Sequence, residues 1–375
     1  MNDLPPLARM PILILGMMSL LGGVLAGLAR LACAVPAVAS DAAGLHGALM
    51  ISAFFGTVIS LEGAVAIGRR WAYLAPAAAG ASGIVMLAGW PPIIATTLSV
   101  IAATIMLAAS IQVLRRQTAP FTIVLAIGSV CWLIGSLAWL TADWIAPAVP
   151  WWLSFLVTTI AGERLELSRF LPTPALARRV FYGIVGCLLF GNMLSLWQPA
   201  SGLVIFSAGL LALALWLLRF DIAWRNAHLS GLPQFVAICL LSGYFWLVFA
   251  GLLGIGGGFV PGHVWRDSSL HAVGPGFVFA MVFGHAPIIF PAITRLKIPF
   301  HPVFYLPLLL LHASLLLHVG ANLLDDFDGR KLGGMANALT LALFIAMLLG
   351  SMRQGRNATA RKTSKKKEVD HGLRC

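Results

Sequence analysis

The sequence predicts an all-α polytopic integral membrane protein of about twelve transmembrane helices, with N- and C-termini in the cytoplasm. Three observations carry this. Hydrophobic residues make up 59% of the chain and charged residues 10%, a balance outside the range of water-soluble domains. Runs of about 20 apolar residues, each long enough to cross a bilayer, recur from one end to the other. The basic residues then sort to one side. With the N-terminus inside, only Arg30, Arg266, Arg330 and Lys331 fall outside, leaving 21 of the 25 Lys and Arg in cytoplasmic loops or the tail. That asymmetry is the positive-inside pattern, and it requires an even number of spans.

The runs lie near residues 10–30, 44–67, 72–90, 92–114, 120–142, 148–168, 177–197, 199–219, 233–256, 268–292, 303–323 and 333–352. The first is too long for a signal-peptide core and is followed by no small-residue cleavage site, so it reads as a retained helix. Loops are short and punctuated by Pro and Gly, as at Trp90-Pro91-Pro92 and Pro147–Pro150. No stretch holds a separate soluble domain. Residues 1–352 form one membrane domain, and 353–375 a basic, disordered cytoplasmic tail touching lipid at most.

The net charge of +12 is accounted for by topology, and nucleic acid is not an expected partner. Trp90, Trp144, Trp151, Trp152, Trp197 and Trp265 cluster at outer span ends and read as an interfacial belt. The five cysteines stand singly, without metal-ligand spacing. Gly254-Ile255-Gly256-Gly257-Gly258 ends span nine without the strand or the Lys-Ser/Thr of a phosphate loop. Asp325, Asp326 and Asp328 form an external acidic loop.

Chemistry is expected at the histidines, because ionisable or metal-ligating side chains inside a span are expensive and functional. His46 opens span two and His271 opens span ten. Even-numbered spans run from outside to inside, so both sit near the outer face. Two neutral imidazoles at one depth suit axial ligation of haem iron, against the plainer reading of two interfacial histidines bonded to loops. His271 and His285 are fourteen residues apart, within about 40° of one helix face but roughly 21 Å apart along it. They therefore serve different depths.

His285 and His312 fall at a second, deeper level and form a candidate copper or other metal pair. His301 lies below them near the inner interface, while His318 turns from His312 toward the outer level and takes no assigned role. Glu62, Glu163, Arg164 and Glu166 make a polar cluster in the same inner half. It reads as a clasp in which Glu62 or Glu163 neutralises Arg164, or as a proton path. In an α-helix, Glu62 lies about 160° around span two from His46, which separates the two features. His228, His263 and His371 read as solvated.

These residues resemble the NnrS family, haem- and copper-containing membrane proteins associated with nitric oxide metabolism and similar in layout to haem–copper oxidase subunit I. The resemblance rests on Leu45-His46-Gly47 opening span two and Gly284-His285 in span ten. It implies a haem-bearing protein of the bacterial cytoplasmic (inner) membrane, with a small gaseous ligand such as nitric oxide and copper as a second metal. Two departures narrow it. No histidine occurs between Ala148 and Trp197, so the oxidase dinuclear centre is missing, and Ala286-Pro287-Ile288 replaces the Thr-Gly-Arg that follows Gly-His in many NnrS proteins. A secondary transporter and a haem or copper assembly factor are the alternatives to this reading.

Overall fold

The computed structural model describes residues 3–372 except Asp143, residues 170–173 and Lys297, with side chains given through Arg353. The described chain is helical and contains no strand. Its long helices are α1 (Pro6–Arg30), α2 (Ala43–Ile67), α3 (Leu74–Leu87), α4 (Pro92–Arg116), α5 (Pro120–Thr141) and α6 (Val149–Leu167). They continue with α7 (Ala175–Ser195), α8 (Pro199–Phe220), α9 (Leu232–Ile255), α10 (Arg266–Thr294), α11 (Pro302–Leu323) and α12 (Phe327–Gly372). Among the described residues nine of these are long and apolar enough to cross a membrane, which makes this a multi-pass membrane protein.

The other three are α3, α6 and α7, and each has a physical reason for standing apart. Helix α3 has 14 residues, or about 21 Å against a hydrocarbon core of about 30 Å. Helix α6 carries Glu163, Arg164 and Glu166 at its end, and α7 starts with Arg178-Arg179. The protein itself surrounds α6: every residue from Val149 to Gly162 is buried. A helix apolar on all sides and enclosed in this way belongs to the interior of a bundle. This corrects the reading of Trp151 and Trp152 as interfacial; they are 3% and 0% exposed, whereas Trp90, Trp144 and Trp197 are exposed.

Sequential helices pack side by side along the chain, and α1 closes the ring by touching α10 and α12 as well as α2 and α3. Helices α2 and α10 meet each other and α6 at the centre. Both are interrupted by π-helix, over Leu49–Phe55 in α2 and Ala272–Phe279 in α10. Each interruption begins within three residues of a histidine, His46 and His271. Hydrogen bonding from i to i+5 turns each residue through a smaller angle than an α-helix does, and such segments gather at functional sites. Pro275, which lacks an N–H, lies inside the second. Phe54 and Phe55 pack on Phe279 across the gap at centroid distances of 6.1 and 5.2 Å. The α-helical angles linking His46 to Glu62 and His271 to His285 therefore do not hold.

At the far end of the chain, Asp326 caps α12 by accepting from the Gly329 N–H. The segment expected to be a disordered tail continues as the helical backbone of α12 to Gly372.

Candidate functional site

The C-terminal end of α1 and the His46 end of α2 converge with the start of α10, the end of α11 and the start of α12. His46 stacks its ring parallel to that of His271, with 6.3 Å between centroids and 13° between planes. Both rings are held from behind. His46 Nδ1–H donates to the Gly23 carbonyl of α1 at 2.7 Å, and His271 Nδ1–H donates to the Asp267 carbonyl one turn back at 2.8 Å. A carbonyl can only accept, so each bond puts the proton on Nδ1 and leaves the lone pair on Nε2. This is the tautomer of a metal-ligating histidine with its second nitrogen anchored. His46 and His271, each with Nδ1 on a carbonyl and Nε2 unprotonated, are the residues that would hold a haem iron at this end.

Helix α1 is shaped for this ring. A Cβ built on Gly27 would stand 2.9 Å from both Cε1 and Nδ1 of His46, so any side chain there displaces the imidazole. Gly27→Val is expected to break the bond from His46 to Gly23 and to lower the occupancy of any haem held by His46 several-fold; the ratio of Soret to protein absorbance in purified variants measures it.

Two residues that the sequence left without a role complete this end. His318 on α11 is 1% exposed, and its ring lies 4.6 Å from that of His271. Its Nδ1–H donates to the Arg330 carbonyl of α12 at 3.0 Å, while Nε2 meets Asp267 Oδ2 at 2.7 Å. Asp267 also brings Oδ1 to 3.4 Å from His271 Nδ1. A Cβ at Gly333 would come within 2.6 Å of the His318 backbone, so glycine lets α12 lie close enough for that carbonyl to be reached. The signal for Asp267 was its place four residues before His271, one turn away on the same helix. Asn322 links the same elements, donating to Ser268 Oγ at 2.8 Å and accepting from Arg330 Nη1 at 2.8 Å.

The inner cluster differs from the expected clasp. Arg164 does not take Glu62 or Glu163 as its hydrogen-bond partner. Its Nε donates to Asp221 Oδ2 at 2.8 Å and its Nη2 to Oδ1 at 3.4 Å. Asp221 also accepts from Tyr244 Oη at 3.1 Å and from the Ala223 N–H at 2.6 Å. Arg164, Asp221 and Tyr244 are 2%, 5% and 0% exposed. A carboxylate at the end of α8 wins because four donors converge on it, which repays its desolvation. Glu62 and Glu163, both partly buried, interact electrostatically with each other. Glu166 pairs with exposed Arg169 at 3.8 Å, a contact worth little in such a position.

His285 and His312 are not presented as a metal pair. His285 donates from Nδ1 to the Met281 carbonyl at 2.9 Å, and its Nε2 accepts from Arg164 Nη1 at 3.3 Å. His312 Nδ1 accepts from Trp246 Nε1 at 3.0 Å, which places the proton on Nε2. Neither ring keeps a free lone pair, so this donor set does not fit copper. His285→Gln is expected to cost about 1–2 kcal/mol through the acceptor lost to Arg164, leaving any haem spectrum unchanged; thermal unfolding and a visible spectrum of the same sample check both. His301 caps a short turn by accepting from the Val303 N–H at 3.2 Å, and His263 accepts from the Trp265 N–H at 3.1 Å. His371 lies outside the described side chains.

No curated protein matches the chain. Residues 9–353 match a family described as a domain of unknown function (DUF8744). That match covers the helices that bring His46, Asp267, His271 and His318 together and those of the Arg164 cluster, and the chain belongs to this family.

Proposed function

We propose that the protein is a haem-binding protein of the bacterial cytoplasmic membrane, with twelve spans and both termini inside, related in layout to the NnrS family. The observation that carries the reading is the parallel His46–His271 pair, each ring anchored through Nδ1 on a backbone carbonyl with Nε2 free. The charge asymmetry of the loops supports the count of twelve, with α3, α6 and α7 as spans and α6 sheltered by its neighbours.

Haem held this way supplies one-electron redox chemistry. The protein's own part is to fix both imidazoles in the ligating tautomer and to keep them parallel by packing α1 behind one and Asp267 behind the other. With both His46 and His271 holding it, a haem here would supply electron transfer more readily than direct capture of a gas, so a role in nitric oxide or nitrosative-stress metabolism would be that of an electron carrier. Copper is not part of this proposal.

The test is a reduced-minus-oxidised spectrum of the detergent-purified protein, expressed with ample haem and assayed for iron. Sharp α and Soret bands at one haem per chain are expected. A featureless spectrum with no iron would overturn the reading.

A further inference from the structure

We infer that Asp267, His271 and His318 form a binding site for a divalent transition-metal ion of the zinc or ferrous class, sharing His271 with the His46–His271 pair. One ligand atom from each of these residues lies within 4.8 Å of the other two. An ion bound at about 2.0–2.2 Å by nitrogen and carboxylate oxygen holds its ligand atoms about 3–4 Å apart, so closure on the ion asks only for small side-chain rotations.

The surroundings favour ligation over a plain polar contact. His318 comes from α11 and Asp267 and His271 from α10, so the set joins two helices. The His318 side chain is 2% exposed, its Nδ1 is set against the Arg330 carbonyl and its Nε2 against Asp267 Oδ2 at 2.7 Å, so an ion bound there would replace the proton shared by Nε2 and the carboxylate. A backbone carbonyl behind a ring nitrogen is the outer support that metal-ligating histidines use. Without an ion the 2.7 Å contact between His318 Nε2 and Asp267 Oδ2 satisfies both buried groups, and an ion would take the place of that contact. Access remains, because the side chains of His271 and Asp267 are 23% and 30% exposed. Two histidines and one carboxylate, with room for a water or a further ligand, make a set suited to zinc or ferrous iron; calcium and magnesium prefer oxygen alone.

His271 keeps one free nitrogen, Nε2, because its Nδ1–H is spent on the Asp267 carbonyl, so the ion competes with haem for that nitrogen and is proposed for protein without haem. The experiment is a titration of the full-length, tag-free protein with Co²⁺, after chelator treatment, reading cobalt d–d absorbance and bound metal per chain. The haem spectrum is recorded on the same samples. One ion per chain is expected. Asp267→Asn and His318→Gln, on different helices, should each weaken binding by about 10–100-fold while unfolding temperature holds. His46→Ala should leave cobalt binding intact even as it removes haem. Binding unchanged in both Asp267→Asn and His318→Gln, or no cobalt bound by folded wild-type protein, would overturn the site. Loss of cobalt in His46→Ala to the same extent as in His318→Gln would place the ion between the facing histidines and overturn it too. Protein that lacks a Soret band yet binds cobalt keeps the ion site and loses the haem.

Discussion

If the protein binds haem as proposed, purified His46→Ala and His271→Ala variants are expected to lose the Soret band altogether while remaining inserted in the membrane. Each would supply one of the two ligating nitrogens, and the sequence offers no covalent haem-attachment motif of the Cys-x-x-Cys-His kind. Removing one would leave the haem held from a single side. Insertion should persist, because it depends on the apolar runs and on loop charge, which neither substitution touches. His318→Gln provides the contrast: it alters the support behind His271 through Asp267 and should keep haem, with at most a small shift of the bands. Soret absorbance unchanged in both alanine variants would exclude the facing pair as ligands.

The second large effect lies at the other end of the bundle. Asp221→Ala is expected to destabilise the protein by about 3–5 kcal/mol, the cost of leaving a buried charge without its partner. The residue at risk is Arg164, whose guanidinium would keep only His285 as a hydrogen-bond acceptor among the contacts described. Tyr244 would lose its acceptor at the same time. Replacing both charges together, as in Arg164→Met with Asp221→Leu, should recover much of the loss, because a desolvated ion pair is often replaceable by apolar side chains of similar volume. Thermal unfolding in detergent, followed by tryptophan fluorescence, reads both. An Asp221→Ala variant melting within a degree of wild type would show that the cluster does not brace α6, α8, α9 and α10.

The two clusters differ in how far they were legible in the sequence. The long apolar runs and the nearness of His46 to His271 were legible, because transfer of apolar residues out of water fixes where a helix lies along the chain. Two histidines at the starts of two helices running the same way then meet at one level. The direction in which each residue points was less accessible. Arithmetic at about 100° per residue assumes α-helix throughout, and the π-helical stretches Leu49–Phe55 and Ala272–Phe279 break that assumption where the site is built.

The sequence by itself therefore determined an all-helical membrane protein, the positions of its helices along the chain, and one pair of histidines at matching positions. Only the tertiary structure decided that His318 and Asp267 join His271, that Arg164 answers to Asp221 instead of Glu62 or Glu163, and that Trp151 and Trp152 face the interior. Hydropathy is a sum over consecutive residues and survives any rotation of a helix about its axis. A side-chain contact depends on that rotation and on which helices are neighbours, and both are set by packing among residues far apart in the chain.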